Sequence, residues 1–342
     1  MEEKKILLGM SGGIDSTYAV GELRRQGYEV FGAFLKMTEE SETESAVRAA
    51  KVLGVPLTVV DCTERFRNIV IENFLSEYAK ARTPNPCIVC NRFVKIAVLC
   101  ETAKAMGIPK VATGHYAKIG FDEEECRYYV CKADDPRKDQ SYMLWRLTQE
   151  QLSMLELPLG SLLKSEIKER AREMALPNAD APESQEICFT NDYVSYIEER
   201  SGKFPKGNFT DENGKTLGRH EGIIRYTVGQ RKGLGISLGK PAFVMAIDPR
   251  LHTVTLTSDE SKIFTNALRC KELNFMALTP GDYETVSGEG KIRYAAKPEA
   301  ANACICDGEA TVVFDCCVRA VTPGQSVVFY RNGRILFGGM IE

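Results

Sequence analysis

The chain has no apolar run near the ~18–20 residues of a membrane span, and Met-Glu-Glu-Lys-Lys at its start does not read as a secretory leader. A cytoplasmic protein without a membrane partner is the expectation. It has little net charge, −3 over 342 residues, which argues against indiscriminate nucleic-acid binding. Internal repeats, heptads and low-complexity segments are missing, so solenoids and coiled coils are excluded. What remains is ordinary globular composition, 44% hydrophobic and 27% charged, with room for two or three domains. Twelve cysteines in a reducing compartment read as thiols, metal ligands or catalytic groups, or as small core residues.

Ile6-Leu7-Leu8-Gly9-Met10-Ser11-Gly12-Gly13-Ile14-Asp15-Ser16 is an apolar strand that breaks into Ser-Gly-Gly and resumes as a helix carrying Tyr18, Ala19 and Leu23. Glycine backbone N–H groups, the Ser11 and Ser16 hydroxyls and a helix N-terminus converge there, which suits phosphate. No Lys-Ser/Thr pair follows, so this is not a Walker loop. Asp15 stands there instead. A carboxylate beside a polyphosphate calls for Mg²⁺ between them, which makes Asp15 a metal partner of ATP. The plainer alternative is a βα turn with a first-turn helix charge.

Further strands are predicted at Glu29–Leu35, Val55–Asp61 and Val111–Thr113, and helices at Glu42–Leu53, Arg67–Ala81 and Phe93–Met106. That alternation predicts an α/β fold, a doubly wound parallel sheet with ligands beyond the strands' carboxyl ends. Leu35 and Gly114-His115 fall at such ends. Helices run on to Met174, and Leu176–Ser184 reads as a loop. Beyond Tyr193 the chain turns glycine-rich and basic, and from Phe243 it reads as short strands with turns at Asp248-Pro249, Pro280-Gly281, Pro323-Gly324 and Asn332-Gly333, a C-terminal β-barrel. The expected division is 1–193, 194–257 and 258–342.

Charge is uneven. Lys80, Arg82, Arg92 and Lys95 have no acidic residue among them, and residues 201–240 hold eight Lys/Arg against Asp211, Glu212 and Glu221. Local basic patches on an acidic chain suit a shaped RNA. Cys90, placed where a helix is predicted to begin among Arg82, Arg92 and Lys95, is expected to ionise below the free thiol's value of about 8.5 and to serve as a nucleophile. Cys188 follows a proline-bearing loop that could deliver it to a site elsewhere.

Ser11–Ser16 resembles the PP-loop of N-type ATP pyrophosphatases, which implies cleavage of ATP between the α- and β-phosphates and AMP placed on a substrate oxygen. More motifs occur in order: T-P-N-P-x-x-x-C-N (Thr83–Asn91), A-T-G-H-Y-A (Ala112–Ala117), K-D-Q-S-Y (Lys138–Tyr142), I-C-F (Ile187–Phe189), Y-T-V-G-Q-R-K-G-L-G-I (Tyr226–Ile236), I-R-Y (Ile292–Tyr294) with Lys297-Pro298, and T-P-G-Q-S-V-V-F-Y (Thr322–Tyr330). With them nearly the whole chain resembles the tRNA-specific 2-thiouridylase family.

The resemblance implies an enzyme that replaces O2 of the wobble uridine (position 34) of tRNA with sulfur after ATP has adenylated that oxygen. Cys188 would carry a persulfide supplied by a cysteine desulfurase or sulfur-relay protein. Cys90 would attack it, leaving a Cys90–Cys188 disulfide. Gly9, Met10, Ser11, Gly12, Gly13, Ile14, Asp15, Ser16, Leu35 and Gly114 would bind ATP with Mg²⁺. Asn85, Pro86, Cys87, His115, Lys138, Asp139, Gln140, Arg293, Tyr294 and Gln325 would contact the tRNA anticodon stem-loop, and the protein would be a monomer or weak dimer.

Three departures stand out. The acidic stretch around Met37–Glu42 is short, Glu183 replaces the usual Asp, and Cys87 stands where the family usually has Asp. Cys87, Cys90 and Cys188 together could hold a [4Fe–4S] cluster with one iron open. Cys304, Cys306, Cys316 and Cys317 read as core packing in strands, with a zinc site as the alternative; the other cysteines read as filler. The rival functions are a PP-loop ligase or amidotransferase on a small metabolite, which leaves Cys90 and Cys188 unexplained, and a non-catalytic RNA-binding protein.

Overall fold

The computed structural model describes residues 4–174, 176 and 187–342. Strands β1 (Lys4–Gly9), β2 (Tyr28–Lys36), β3 (Leu57–Asp61) and β4 (Lys110–Ala112) join Leu155–Glu156 in one parallel sheet, ordered β3-β2-β1-β4 and then Leu155–Glu156. Ile6, Leu7 and Leu8 of β1 are all fully buried because helices cover both faces of the sheet. Helices α1 (Ile14–Arg25) and α2 (Glu44–Leu53) connect the first strands. The chain leaves β1 towards β2 on one side, while β4 lies on the other. The strand order therefore switches at the end of β1, where open α/β sheets bind ligands.

The helix expected from Phe93 begins earlier, at Pro86, with the Asn85 side chain accepting from the Cys87 amide at 3.2 Å as its N-cap. It widens to a π turn over Asn91–Lys95 and continues to Ala105. Proline at the first helical position is tolerated because its missing N–H would be unpaired there anyway. Cys90 consequently sits a full turn inside the helix, and Cys87 occupies the first turn.

Residues 207–257 form a four-stranded sheet, which includes strands Gly207–Thr210 and Thr216–His220 that the glycine-rich sequence concealed. Thr253–Thr257 pairs in parallel with Gly207–Thr210, a long-range pairing with no local sequence signal. In the C-terminal part, the strands Phe264–Phe275, Glu309–Arg319, Glu299–Cys306, Tyr283–Lys291, Ser326–Arg331 and Arg334–Ile341 pair in that order and close on themselves as an antiparallel barrel. An N-terminal hairpin, Lys118–Asp122 with Arg127–Cys131, joins the same sheet through Cys131 and Arg334.

The C-terminal cysteines correct the core-packing reading. Strand parity sends Ala303 and Ile305 into the barrel and Cys304 and Cys306 outwards, and Cys316 and Cys317 are exposed as well. Cys62, Cys90, Cys100 and Cys270 are the buried cysteines among the described residues. No helix among the described residues is long and apolar enough to cross a membrane.

Candidate active site

The loop after β1 is built for close approach. Gly12 has φ +80°, and a Cβ there would lie 2.6 Å from the Ala46 amide nitrogen, so only glycine fits. Gly13 caps α1 in extended conformation. Ser16 Oγ and Thr17 Oγ1 donate to the Gly13 carbonyl at 3.1 and 2.9 Å, and Ser11 Oγ lies 3.3 Å from Ser16 Oγ. Among the described residues the Ile14, Asp15 and Ser16 amides of the first turn of α1 have no acceptor, the place where a helix receives an anion. Gly9 ends β1, the Met10 amide bonds Ala33 of β2, and Leu35 lies half-buried near the carboxyl end of that strand.

Asp15 is held from two sides. The Tyr116 phenol donates to its Oδ1 at 2.5 Å, and Lys164 Nζ pairs with the same oxygen. Lys164 is buried, opening the helix Lys164–Glu173, and its amide is held by Asp135. The sequence reading missed this lysine. Its one available signal was a cation at the start of an otherwise amphipathic helix, which does not reveal a partner 149 positions away.

The segment after β4 connects this loop to the thiols. A Cβ on Gly114 would lie 3.1 Å from the Ser16 amide, so its backbone lies against the phosphate loop. Next to it, His115 Nδ1 is 2.7 Å from Thr113 Oγ1. Burial, with a smaller contribution from the Lys95 charge, pushes His115 down to about 3, so it is a neutral imidazole. Lys95 acts on Cys87 and Cys90 too. One cation therefore acts on the histidine and on both thiols.

Cys90 corrects the expectation of a low-pKa nucleophile. Burial pushes it up to about 11, outweighing Lys95, and Cys188 and Cys87 add to the rise. Two of the cations expected to help are engaged elsewhere, Arg82 on Glu77 and the Ile341 carbonyl, and Arg92 on Gln151. Burial raises Cys87 also, with Lys95 opposing and Cys188 adding. Cys188 itself is exposed. Its neighbour Phe189 anchors it by packing edge-on against Phe66 at 5.8 Å and Phe74 at 5.2 Å, and against Tyr196 at 5.2 Å. The fold thus carries Cys188 from about a hundred residues away to where its charge acts on Cys87 and Cys90. Leu176 apart, the expected loop Leu176–Ser184 and the Glu183 position lie outside the described residues.

Among the residues expected to contact RNA, several use their polar groups within the protein. Asp139 is buried and accepts from Ala133 N, Ser141 N and Ser141 Oγ. The Gln140 side chain accepts from the Tyr116 amide at 2.9 Å, bracing the residue that holds Asp15. Arg293 donates to the Val228 and Ala320 carbonyls and to Thr322 Oγ1, clamping the glycine-rich segment to the barrel. Gln325 donates to the Thr83 carbonyl at 2.7 Å, fixing the loop that carries Asn85, Pro86 and Cys87. Lys138 is half-buried and Tyr294 is exposed beside this junction.

A nucleotide loop at the switch point of a parallel sheet, with an acidic residue in its helix and thiols beside it, defines a PP-loop ATP-dependent enzyme. Family models match residues 4–192 as "tRNA methyl transferase HUP domain", 194–258 as "tRNA methyl transferase PRC-barrel domain" and 265–341 as "Aminomethyltransferase beta-barrel domain". The chain is 44% identical to the tRNA-specific 2-thiouridylase MnmA of Acetivibrio thermocellus over 361 aligned residues, covering 100% of both. It is 42% identical to that of Clostridioides difficile, covering 99% of this chain and 98% of the relative. Among solved structures, the NH3-dependent NAD synthetase from Campylobacter jejuni matches 52% of this chain and 66% of its own at 18% identity and TM-score 0.33. The chain belongs to the tRNA-specific 2-thiouridylase family.

Proposed function

We propose that the chain is a tRNA-uridine 2-sulfurtransferase acting on the wobble uridine, position 34, through an adenylated intermediate. The observation that carries this reading is the Gly114-His115 dipeptide. Gly114 lies against the ATP loop and His115 shares the Lys95 charge with Cys87 and Cys90, so activation and sulfur transfer have one common wall.

ATP is a substrate whose triphosphate fits the glycine cradle of Ser11–Ser16. Asp15 is the residue that would hold Mg²⁺, and that ion, when bound, neutralises the departing pyrophosphate. The uridine O2 attacks the α-phosphorus, the bond to the β-phosphate oxygen breaks, and pyrophosphate leaves. O2 now carries AMP, a good leaving group. An incoming persulfide on Cys188, loaded by a cysteine desulfurase or relay protein, attacks C2 with its terminal sulfur and AMP departs. Cys90, once its proton is lost, attacks Cys188 Sγ. The S–S bond breaks, the electron pair stays on the uridine sulfur, and a Cys90–Cys188 disulfide remains for an external thiol reductant. An exposed Cys188 suits loading by a partner protein, and a buried Cys90 keeps the resolving thiol protonated until its turn.

Cys87 favours a second version of the same reaction. Cys87, Cys90 and Cys188, whose charges act on one another, supply the three thiols that a [4Fe–4S] cluster with one iron open would need, and such a cluster, when bound, would supply a coordination position for sulfide. Cys87, Cys90 and Cys188 would hold it. Anaerobic purification with iron and acid-labile sulfide analysis separates the versions. About four of each per chain, reduced in Cys87→Asp, supports the cluster. No iron, with one extra sulfur on Cys188 by mass spectrometry, supports the persulfide. Conversion of ATP to AMP that needs no tRNA, with a small-molecule acceptor, would overturn both.

A further inference from the structure

Lys291 ends the strand Tyr283–Lys291, opposite Val328, where the barrel meets the Lys138–Tyr142 segment. The residue is only 8% exposed. The ammonium lies 5.8 Å from the Tyr142 ring centroid and 5.6 Å from that of Tyr294, between two rings 6.4 Å apart. Among the described residues it has no hydrogen-bond acceptor and no carboxylate partner. The nearby acid, Asp139, acts on it only at a distance, since its oxygens are taken by Ala133 and Ser141. Lys132, the other cation nearby, is committed to Glu289 at 3.1 Å and to the Tyr330 ring.

A buried ammonium without an acceptor is costly, and two aromatic faces offset only part of that cost. Tyr142 is locked by its hydrogen bonds with Ser326, whereas Tyr294 at the rim is 38% exposed. The cation is thus walled on the protein side and open beside an aromatic ring able to stack on a base. Both neighbours suit a nucleic acid strand, whose phosphodiester would supply the missing anion.

We infer that Lys291 is an RNA phosphate-binding residue, forming with Tyr294 a subsite for one phosphodiester and its adjoining base at the junction of the catalytic domain and the barrel. The inference rests on the tRNA reading above. Unlike Asp139, Arg293 and Gln325, which spend their polar groups on the protein, Lys291 keeps its charge for a ligand.

The test is tRNA binding by fluorescence anisotropy from low to high salt, with wild type, Lys291→Met and Lys291→Arg. Lys291→Met is expected to bind about tenfold more weakly at low salt, and the slope of log K against log salt should shrink by about 0.7–0.9, one counterion's worth. Lys291→Arg should keep the slope. In steady state, the KM for tRNA should rise in Lys291→Met with kcat little changed. Melting provides the control, because removing an unpaired buried charge should leave the free protein's Tm equal or higher. A lower Tm with an unchanged salt slope would make Lys291 structural and overturn the inference. Wild type that fails to bind tRNA would overturn the tRNA reading itself, whereas wild-type binding with an unaltered slope in Lys291→Met overturns Lys291 alone.

Discussion

The Tyr116 phenol donates to the Asp15 carboxylate at 2.5 Å, joining the segment after β4 to the phosphate loop across 101 positions. The bond, with Lys164 on the same oxygen, orients Asp15 before any nucleotide arrives. Hydrogen bonds to charged groups contribute about 1.5–3 kcal/mol. Tyr116→Phe should therefore lower kcat/KM for ATP by roughly ten- to a hundredfold, and Lys164→Met by at least as much. Pyrophosphate release in the presence of tRNA measures it. Wild-type rates in both variants would show that Asp15 needs no such support.

Gly12 gives a steric test of the same loop. Gly12→Ala places a methyl 2.6 Å from the Ala46 amide nitrogen at φ +80°. The strain, on the order of 1–3 kcal/mol, should lower Tm and push α2 away from the cradle, weakening ATP binding in calorimetry. Gly27→Ala, equally left-handed but with nothing within 4 Å, should lower Tm while ATP affinity stays at the wild-type value.

For the thiols, Cys188→Ser and Cys90→Ser should each abolish 2-thiouridine formation. They should differ in what accumulates. Under the persulfide route, Cys90→Ser incubated with a sulfur donor retains an extra sulfur on Cys188, visible by mass spectrometry of the peptide. Cys188→Ser retains none. An extra sulfur on Cys90 instead would reverse the assigned roles.

Stability should fall on both sides of neutrality. Burial raises Cys62 and Cys100 to about 11 and Cys270 to about 12. The folded state therefore keeps protons that the unfolded chain releases from about pH 8.5, and this stabilisation, fully present below 8.5, is lost as pH rises through 11–12. On the acid side, His115 is depressed to about 3. Its contribution is present above about pH 6.5 and is lost as pH falls towards 3. Tm measured from pH 4 to 10 should be steeper on the acid side for wild type than for His115→Gln, and steeper on the alkaline side than for Cys270→Ala.

The sequence by itself determined the parallel sheet and the C-terminal barrel, and singled out the Ser-Gly-Gly loop, Cys90 and Cys188 as candidates, because strand-helix alternation, turn dipeptides, glycine spacing and short motifs are all carried by neighbours in the chain. Tertiary structure decided what depends on distant partners. It moved the helix start to Pro86, buried Cys90 and so raised its thiol instead of lowering it, turned Cys304 and Cys306 to solvent, and made Arg293 and Gln325 clamps between segments. It also set Lys164 on Asp15 and left Lys291 between two tyrosines with no carboxylate partner among the described residues. Desolvation and pairing are properties of the assembled interior, where the nearest charge is set by packing and not by position in the chain.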